Sequence, residues 1–343
     1  MKLVLSQEQQ QLREAVRDFL RAASPLRKAR EGYDPQVYAR LNGELGLSGL
    51  AVPEEHGGAG AGLADLAVAL EETGAALLPG PFLATQFAAL ALTQVSDKEL
   101  LGGIAEGRVA ATLVQPESDL AFDGTAVTGA LPRVLSGMEA DVLLAPAPGD
   151  GGVLLVAVDL AGPGVTRTPL ETLDLTRGQA RVTLEHAPAR VLGRPPAGSG
   201  IGDRLCVALA AEQLGVLRAS LDAIVAYAKI RVAFGRYIGS YQGVKHKLAD
   251  MHGKLEQAES IVRYAAWAAD ESPAELPGAA ALAQAYVGRA CFEVARDHLL
   301  LHGGIGFTWE HDAHLFYKRA KADEVLLGPP RIHRARLAEL LEL

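Results

Sequence analysis

Cysteine is nearly absent from this chain: 343 residues carry two, Cys206 and Cys291, each set in an apolar, alanine-rich segment. Two such thiols staple no secreted scaffold and form no ligand cluster, so they read as buried side chains in a reducing compartment. Long hydrophobic runs are missing too. Nothing reaches the roughly 20 apolar residues that span a bilayer, and residues 1–10 turn polar before the core of a signal peptide could form. No membrane span and a cytoplasmic location are expected. Nor is there a basic stripe. The net charge is −8, with Lys and Arg interspersed among Asp and Glu. Nothing in that pattern neutralises a row of phosphates, so nucleic acid is not an expected partner. What remains is an ordinary folded composition, 49% apolar and 22% charged, long enough for two or three units with a sizeable core.

Three compositional zones follow one another: 1–110, 111–198 and 199–343. In the first, Ser6 with Gln9 makes a capping box ahead of Leu12, Val16, Phe19 and Leu20 at helical spacing. Asp34-Pro35 starts a second helix that Gly46 is placed to end. The glycine-rich run from His56 to Gly62 suggests a phosphate cradle, but no strand precedes it and no Lys-Ser/Thr closes it. A connecting loop is the better reading. The second zone holds short β-rich runs, such as Asp141–Leu144, Val153–Val158 and Arg181–Glu185, broken by Pro, Gly and Asp. Short strands without intervening helices suggest a small barrel or sandwich. In the third, Leu205–Ile230, Gly243–Ala269 and Ala274–Leu301 are long enough to form an antiparallel bundle. The expected class is α+β: an N-terminal helical domain, a middle β-barrel or sandwich, and a C-terminal four-helix bundle.

Three motifs in that order carry a resemblance. The first is Leu45-Gly46-Leu47 followed by Val52 through Gly58. The second is Arg231, Phe234 and Gly235, with Gln242 seven residues after Gly235 and then Leu248-Ala249-Asp250-Met251. The third runs from His302 through Gly303, Gly304, Ile305, Gly306, Phe307, Thr308 and Trp309 to Glu310. With the domain order, they resemble the acyl-CoA dehydrogenase family over essentially the whole chain. Read for its chemistry alone, an Arg at a helix end beside a Phe and a Gly can pair with a pyrophosphate and offer a face to an adenine ring. Paired glycines leave bare backbone against which a dinucleotide can lie. The plain alternative is a helix end carrying an arginine, and a glycine turn. The resemblance implies more: that Arg231, Phe234, Gln242, Gly303 and Gly304 contact the ADP half of an FAD held chiefly by a neighbouring subunit.

The resemblance also implies a reaction that this sequence is poorly equipped for. Family members remove the α-proton of an acyl-CoA thioester with a carboxylate while the β-hydride leaves to flavin N5. In most members that Glu lies between an aromatic residue and a glycine just before the last helix. The matching stretch here is Glu324 to Pro330, and the position is Leu327. In others it lies on the first long helix of the bundle, at the position that here is Leu205. Leucine accepts no proton, and a lost general base costs ~10²–10⁴ in rate. The run Val114-Gln115-Pro116-Glu117-Ser118-Asp119 lacks the Thr of the family's Thr-Glu-Pro stretch, and Arg133-Val134-Leu135 replaces a Trp-Ile-Thr segment beside the isoalloxazine. What serves the chain's own flavin is eroded. What would reach a neighbour's flavin is kept.

The resemblance therefore implies a subunit without catalytic residues of its own. It would complete the FAD site of a catalytic acyl-CoA dehydrogenase partner in a hetero-oligomer with two copies of each subunit, acting on an acyl-CoA and passing electrons to an electron-transfer acceptor. One alternative is a self-sufficient homo-oligomeric dehydrogenase whose base is relocated to Glu212, seven residues beyond Leu205 on nearly the same helix face. Another is an acyl-CoA-binding or scaffold protein with no redox role. Glu212 otherwise reads as a structural ion pair and Asp203 as an acid at a helix start. His302, His311 and His314 lack a fourth ligand, so they read as solvated or hydrogen-bonded histidines and no metal is expected. Arg331, His333, Arg334 and Arg336 read as surface charges of the last helix.

Overall fold

The computed structural model describes residues 3–114, 120–149 and 151–343. Its elements begin with the capped helix α1 (Gln7–Ala23), where Ser6 Oγ accepts the Gln9 N–H and the Gln9 side chain accepts the Ser6 N–H. Helix α2 (Pro35–Leu45) starts on an Asp34 cap and stops at Gly46, whose φ of 60° is the left-handed cap geometry. Helices α3 (Leu63–Ala75), α4 (Phe82–Leu92) and α5 (Lys98–Ala105) follow. The sheet strands are β1 (Ala111–Leu113), β2 (Ala121–Phe122), β3 (Ala126–Leu135), β4 (Val142–Gly149), β5 (Gly152–Asp159), β6 (Val165–Pro169) and β7 (Gln179–Gly193). Then come α6 (Ile201–Ile230), the short strands β8 (Val232–Ala233) and β9 (Arg236–Tyr237), and the helices α7 (Gln242–Glu271), α8 (Leu276–Leu301), α9 (Ala313–Leu326) and α10 (Pro330–Leu340). Helices, a central sheet and helices again succeed one another along the chain.

By their contacts these elements fall into two units, and the helical stretch before residue 110 is shared between them. One unit comprises Glu31–Gly62 and Pro79–Ile201. Its sheet runs β1-β4-β5-β7-β3-β2, with β6 also on β7; β1 pairs with β4 in parallel and the other neighbours are antiparallel. Alternation along β3 and β7 sends Val127, Leu131, Val134, Val182 and Leu184 to a common core. A second cluster places Ala88, Leu92, Leu101 and Ile104 of α4 and α5 against Leu144 and Leu155 of the sheet.

The other unit comprises the chain up to Arg30, Leu63–Leu78 and Gly202–Leu343. It holds α1, α3 and the long helices α6, α7 and α8. Helices α3 and α6 pass close enough that a Cβ at Gly215 would stand 1.8 Å from the Glu71 carbonyl oxygen, and one at Gly74 would stand 2.2 Å from that of Glu212. Only glycine fits at both points. Near this crossing Glu71 is ringed by Arg13 at 3.0 Å, Arg218 at 3.6 Å and Arg263, while Arg17 holds Glu72 at 2.8 Å. Buried charges are paired, as burial requires. No helix among the described residues is long and apolar enough to cross a membrane.

Candidate functional site

The residues singled out from the sequence sit largely in the helical unit, and two exposed segments carry most of them. The first is the link between α6 and α7. Helix α6 closes with the Arg231 N–H donating to the Tyr227 carbonyl at 2.9 Å, and the chain then turns back as the β8–β9 hairpin, pairing Ala233 with Arg236. The two-residue loop is Phe234-Gly235, both at positive φ, 52° and 81°. A tight hairpin needs that geometry. Glycine adopts it freely, but for phenylalanine it costs about 1–2 kcal/mol. The hairpin is braced from below. Tyr241 donates its hydroxyl to the Ala233 carbonyl at 2.9 Å, and its ring lies 3.9 Å under the Arg236 guanidinium. The strained Phe234 is nonetheless 98% exposed. The Arg231 side chain is exposed as well and makes no ion pair among the described residues. Gln242 opens α7, its amide 2.8 Å from the His246 ring.

The second segment follows α8. His302 caps that helix and a short 3-10 turn runs from Gly303 to Phe307. The three glycines of this turn differ in kind. A Cβ at Gly306 would lie 2.6 Å from the Leu299 carbonyl oxygen, so packing within the chain demands glycine there. Gly303 has a φ of 66°, which favours glycine, and Gly304 has neither a positive φ nor any atom within 4 Å of a built Cβ. Nothing among the described residues explains Gly304. Beyond it Ile305, Phe307 and Trp309 are exposed.

These segments meet through rings. The Tyr227 ring, one turn before Arg231, lies 4.3 Å from the His302 ring, immediately before Gly303. His302 in turn packs at 4.3 Å on His311 and 4.7 Å on His298. The reading of solvated or hydrogen-bonded histidines holds in its second form for His302, whose Nδ1 donates to the His298 carbonyl at 2.8 Å, and for His311, whose Nδ1 accepts the Ala313 N–H at 3.1 Å. Neither ring nitrogen of His314 has such a partner among the described residues, and His302 and His314 are buried. Both belong to aromatic packing, His314 against the Trp309 ring at 4.9 Å. Burial pushes His298 down to about 3 and holds His302 and His314 below the usual imidazole range. Among the described residues no group of three or more His, Cys, Asp and Glu is arranged to hold a metal. Neither Tyr227 nor His298 stood out in the sequence. The only local signals were the four-residue offsets of Tyr227 from Arg231 and of His298 from His302.

The positions matched to the family base are now placed. Leu327 is half-buried at the end of α9, its carbonyl accepting from His333 Nε2 at 3.0 Å. Leu205 is 7% exposed on α6. Glu212, two turns further, is 3% exposed and lies 3.0 Å from the fully buried Arg319 guanidinium. Its carboxylate is engaged in an ion pair. Asp203 sits in the first turn of α6 with the Arg336 guanidinium across both its oxygens. The surface-charge reading of the last helix holds for Arg331 and Arg334 but not for His333, which is buried, nor for Arg336, which is paired. Burial raises the Cys206 thiol to about 12 and holds the Cys291 thiol well above its usual range, which keeps both protonated. In the other unit Val134 is buried in β3, Leu135 is half-buried and Arg133 is exposed. Of the run from Val114 to Asp119, residues 115–119 lie outside the described residues.

Residues 6–114 match the family described as acyl-CoA dehydrogenase, N-terminal domain, and residues 203–341 the acyl-CoA dehydrogenase, C-terminal domain. The chain is 38% identical over 340 residues to acyl-CoA dehydrogenase IpdE2 of Mycolicibacterium smegmatis, covering 97% of this chain and 98% of that protein. Among solved structures, the Tcur3481–Tcur3483 steroid ACAD variant is 31% identical with a TM-score of 0.88 over 98% of each chain. The ChsE4–ChsE5 complex from Mycobacterium tuberculosis is 26% identical with a TM-score of 0.88, covering 100% of this chain and 99% of the other.

Proposed function

We propose that this chain, which belongs to the acyl-CoA dehydrogenase family, is the non-catalytic partner in a heteromeric flavin-dependent dehydrogenase of acyl-CoA thioesters, completing the FAD site of a subunit that carries the base. The family uses FAD. The observation that carries the reading is the surface formed by Arg231, Phe234, Gly303 and Gly304. Its guanidinium has no ion-pair partner among the described residues, its phenyl ring is 98% exposed on a strained turn, and Gly304 is unexplained by the packing of those residues. Each has the chemistry of a dinucleotide contact. A guanidinium matches a pyrophosphate with charge-assisted bonds, a phenyl face covers an adenine, and bare backbone admits close approach. The residues fit the ADP half of the cofactor.

Leu327 and Leu205 supply no proton acceptor, and Glu212 is held by Arg319. The chain's own contribution is then binding and orientation, with proton abstraction falling to the partner. FAD, when bound, supplies the acceptor for the hydride that leaves the β-carbon. The paired names of two similar structures, one termed a complex and one a steroid ACAD, support a hetero-oligomer and suggest a bulky acyl group as substrate. Co-expression with a base-bearing family member tests the reading. Equimolar subunits with fewer flavins than chains are expected, and no acyl-CoA oxidation by this chain alone. Turnover by the isolated chain with an artificial acceptor, or one flavin per chain, would refute it. A complex without flavin would point to a scaffold.

A further inference from the structure

We infer that Tyr227 and His302 are positioning residues: their stacked rings form the joint that fixes Arg231 relative to Gly303 and Gly304, and the joint holds only while His298 and His302 are uncharged. The assignment rests on the proposed flavin contacts for its consequence, but on this chain alone for its geometry. Tyr227 belongs to the last turn of α6, and its carbonyl holds the Arg231 N–H. Its ring meets that of His302 at 4.3 Å with planes 31° apart. His302 cannot turn away freely, because its Nδ1 bonds the His298 carbonyl at 2.8 Å and His311 lies 4.3 Å away. His298 closes the cluster, edge-on to His302 at 4.7 Å and to Phe316 at 5.6 Å. One cluster of rings therefore ties the hairpin root to the glycine turn.

The surroundings make the joint sensitive to protons. From α6 the Tyr227 ring faces it. From α8 come His298 and His302, and from α9 Phe316, with His314 and Lys318 beyond. The preceding turn gives His311 and Asp312, whose carboxylate is taken by Arg30 at 3.1 Å. Burial first, then His302 and His311, disfavour a proton on His298. Burial and His311 likewise hold His302 below the usual imidazole range, against the pull of the His298 carbonyl. Both imidazoles are lowered in the folded state, so the closed joint is fully favoured above their ordinary value of 6.5 and loses ground as pH falls below it, down to about 3 for His298.

The chain has two tryptophans, so Trp267→Phe leaves Trp309, just beyond the turn, as the reporter. In the isolated chain its emission should change between pH 6.5 and 4 before helix content is lost, and His298→Gln, which leaves the Tyr227–His302 pair in place, should make that change shallower by removing one proton. Tyr227→Leu should produce the opened signal already at neutral pH, and Tyr227→Phe, which keeps the ring, should restore the closed one. In the flavin-loaded complex Tyr227→Leu should weaken flavin binding roughly two- to tenfold, the scale of one aromatic pair. If Tyr227→Leu changes neither Trp309 emission nor flavin affinity, the joint is refuted. If Trp309 responds and flavin affinity does not, the joint stands and the half-site reading falls.

Discussion

Replacing Glu212 by Gln separates a structural carboxylate from a relocated catalytic base. Arg319 is fully buried, its side chain among the largest so placed, and Glu212 lies 3.0 Å from its guanidinium at 3% exposure. Taking the carboxylate's charge away removes one buried partner of that guanidinium. Removing one member of a buried ion pair typically costs about 3–5 kcal/mol. With a slope of about 3 kcal/mol/M in urea for a unit of this size, the midpoint of the helical unit's transition should fall by roughly 1–1.7 M. Circular dichroism of the isolated chain measures it. The double replacement Glu212→Met with Arg319→Met should recover most of the loss, since apolar residues of similar volume can replace such a pair at little cost. A Glu212→Gln protein of unchanged midpoint whose complex has lost all dehydrogenation would refute the structural role and make Glu212 the base.

Arg231→Ala in the assembled complex removes a charge-assisted contact of about 1.5–3 kcal/mol, so flavin affinity should fall roughly ten- to a hundredfold with subunit pairing intact, as flavin titration would show. Arg231→Lys should recover part of it, because an ammonium cannot form the guanidinium fork. Gly215→Ala forces a methyl to within 1.8 Å of the Glu71 carbonyl oxygen and should destabilise by at least the ~1–3 kcal/mol of core overpacking, read as a lower urea midpoint. Gly253→Ala, mid-α7 with nothing within 4 Å, should instead gain about 0.5–1 kcal/mol in helix propensity. An equal response at the two sites would contradict the close crossing of α3 and α6.

The order of helices, sheet and helices was legible in the sequence because its signals are local. The Ser6–Gln9 cap, the Asp34-Pro35 start, the Gly46 stop and the short β-rich runs that became β4, β5 and β7 each depend on residues a few positions apart. The candidate contacts Arg231, Phe234, Gly303 and Gly304 were legible for the same reason, as chemistry carried in short motifs. What they share in space was not. That Gly74 and Gly215 let two helices touch, that Arg319 finds Glu212 across 107 residues, and that Tyr227 lies on His302 are long-range pairings. Burial decided the rest. His333 looked like one more surface charge and is instead buried, donating to the Leu327 carbonyl. Phe234, which hydrophobicity alone would place inside, is held in water by a positive-φ turn. A sequence states which side chains are available, but only the packed chain decides which of them meet one another and which are left facing out.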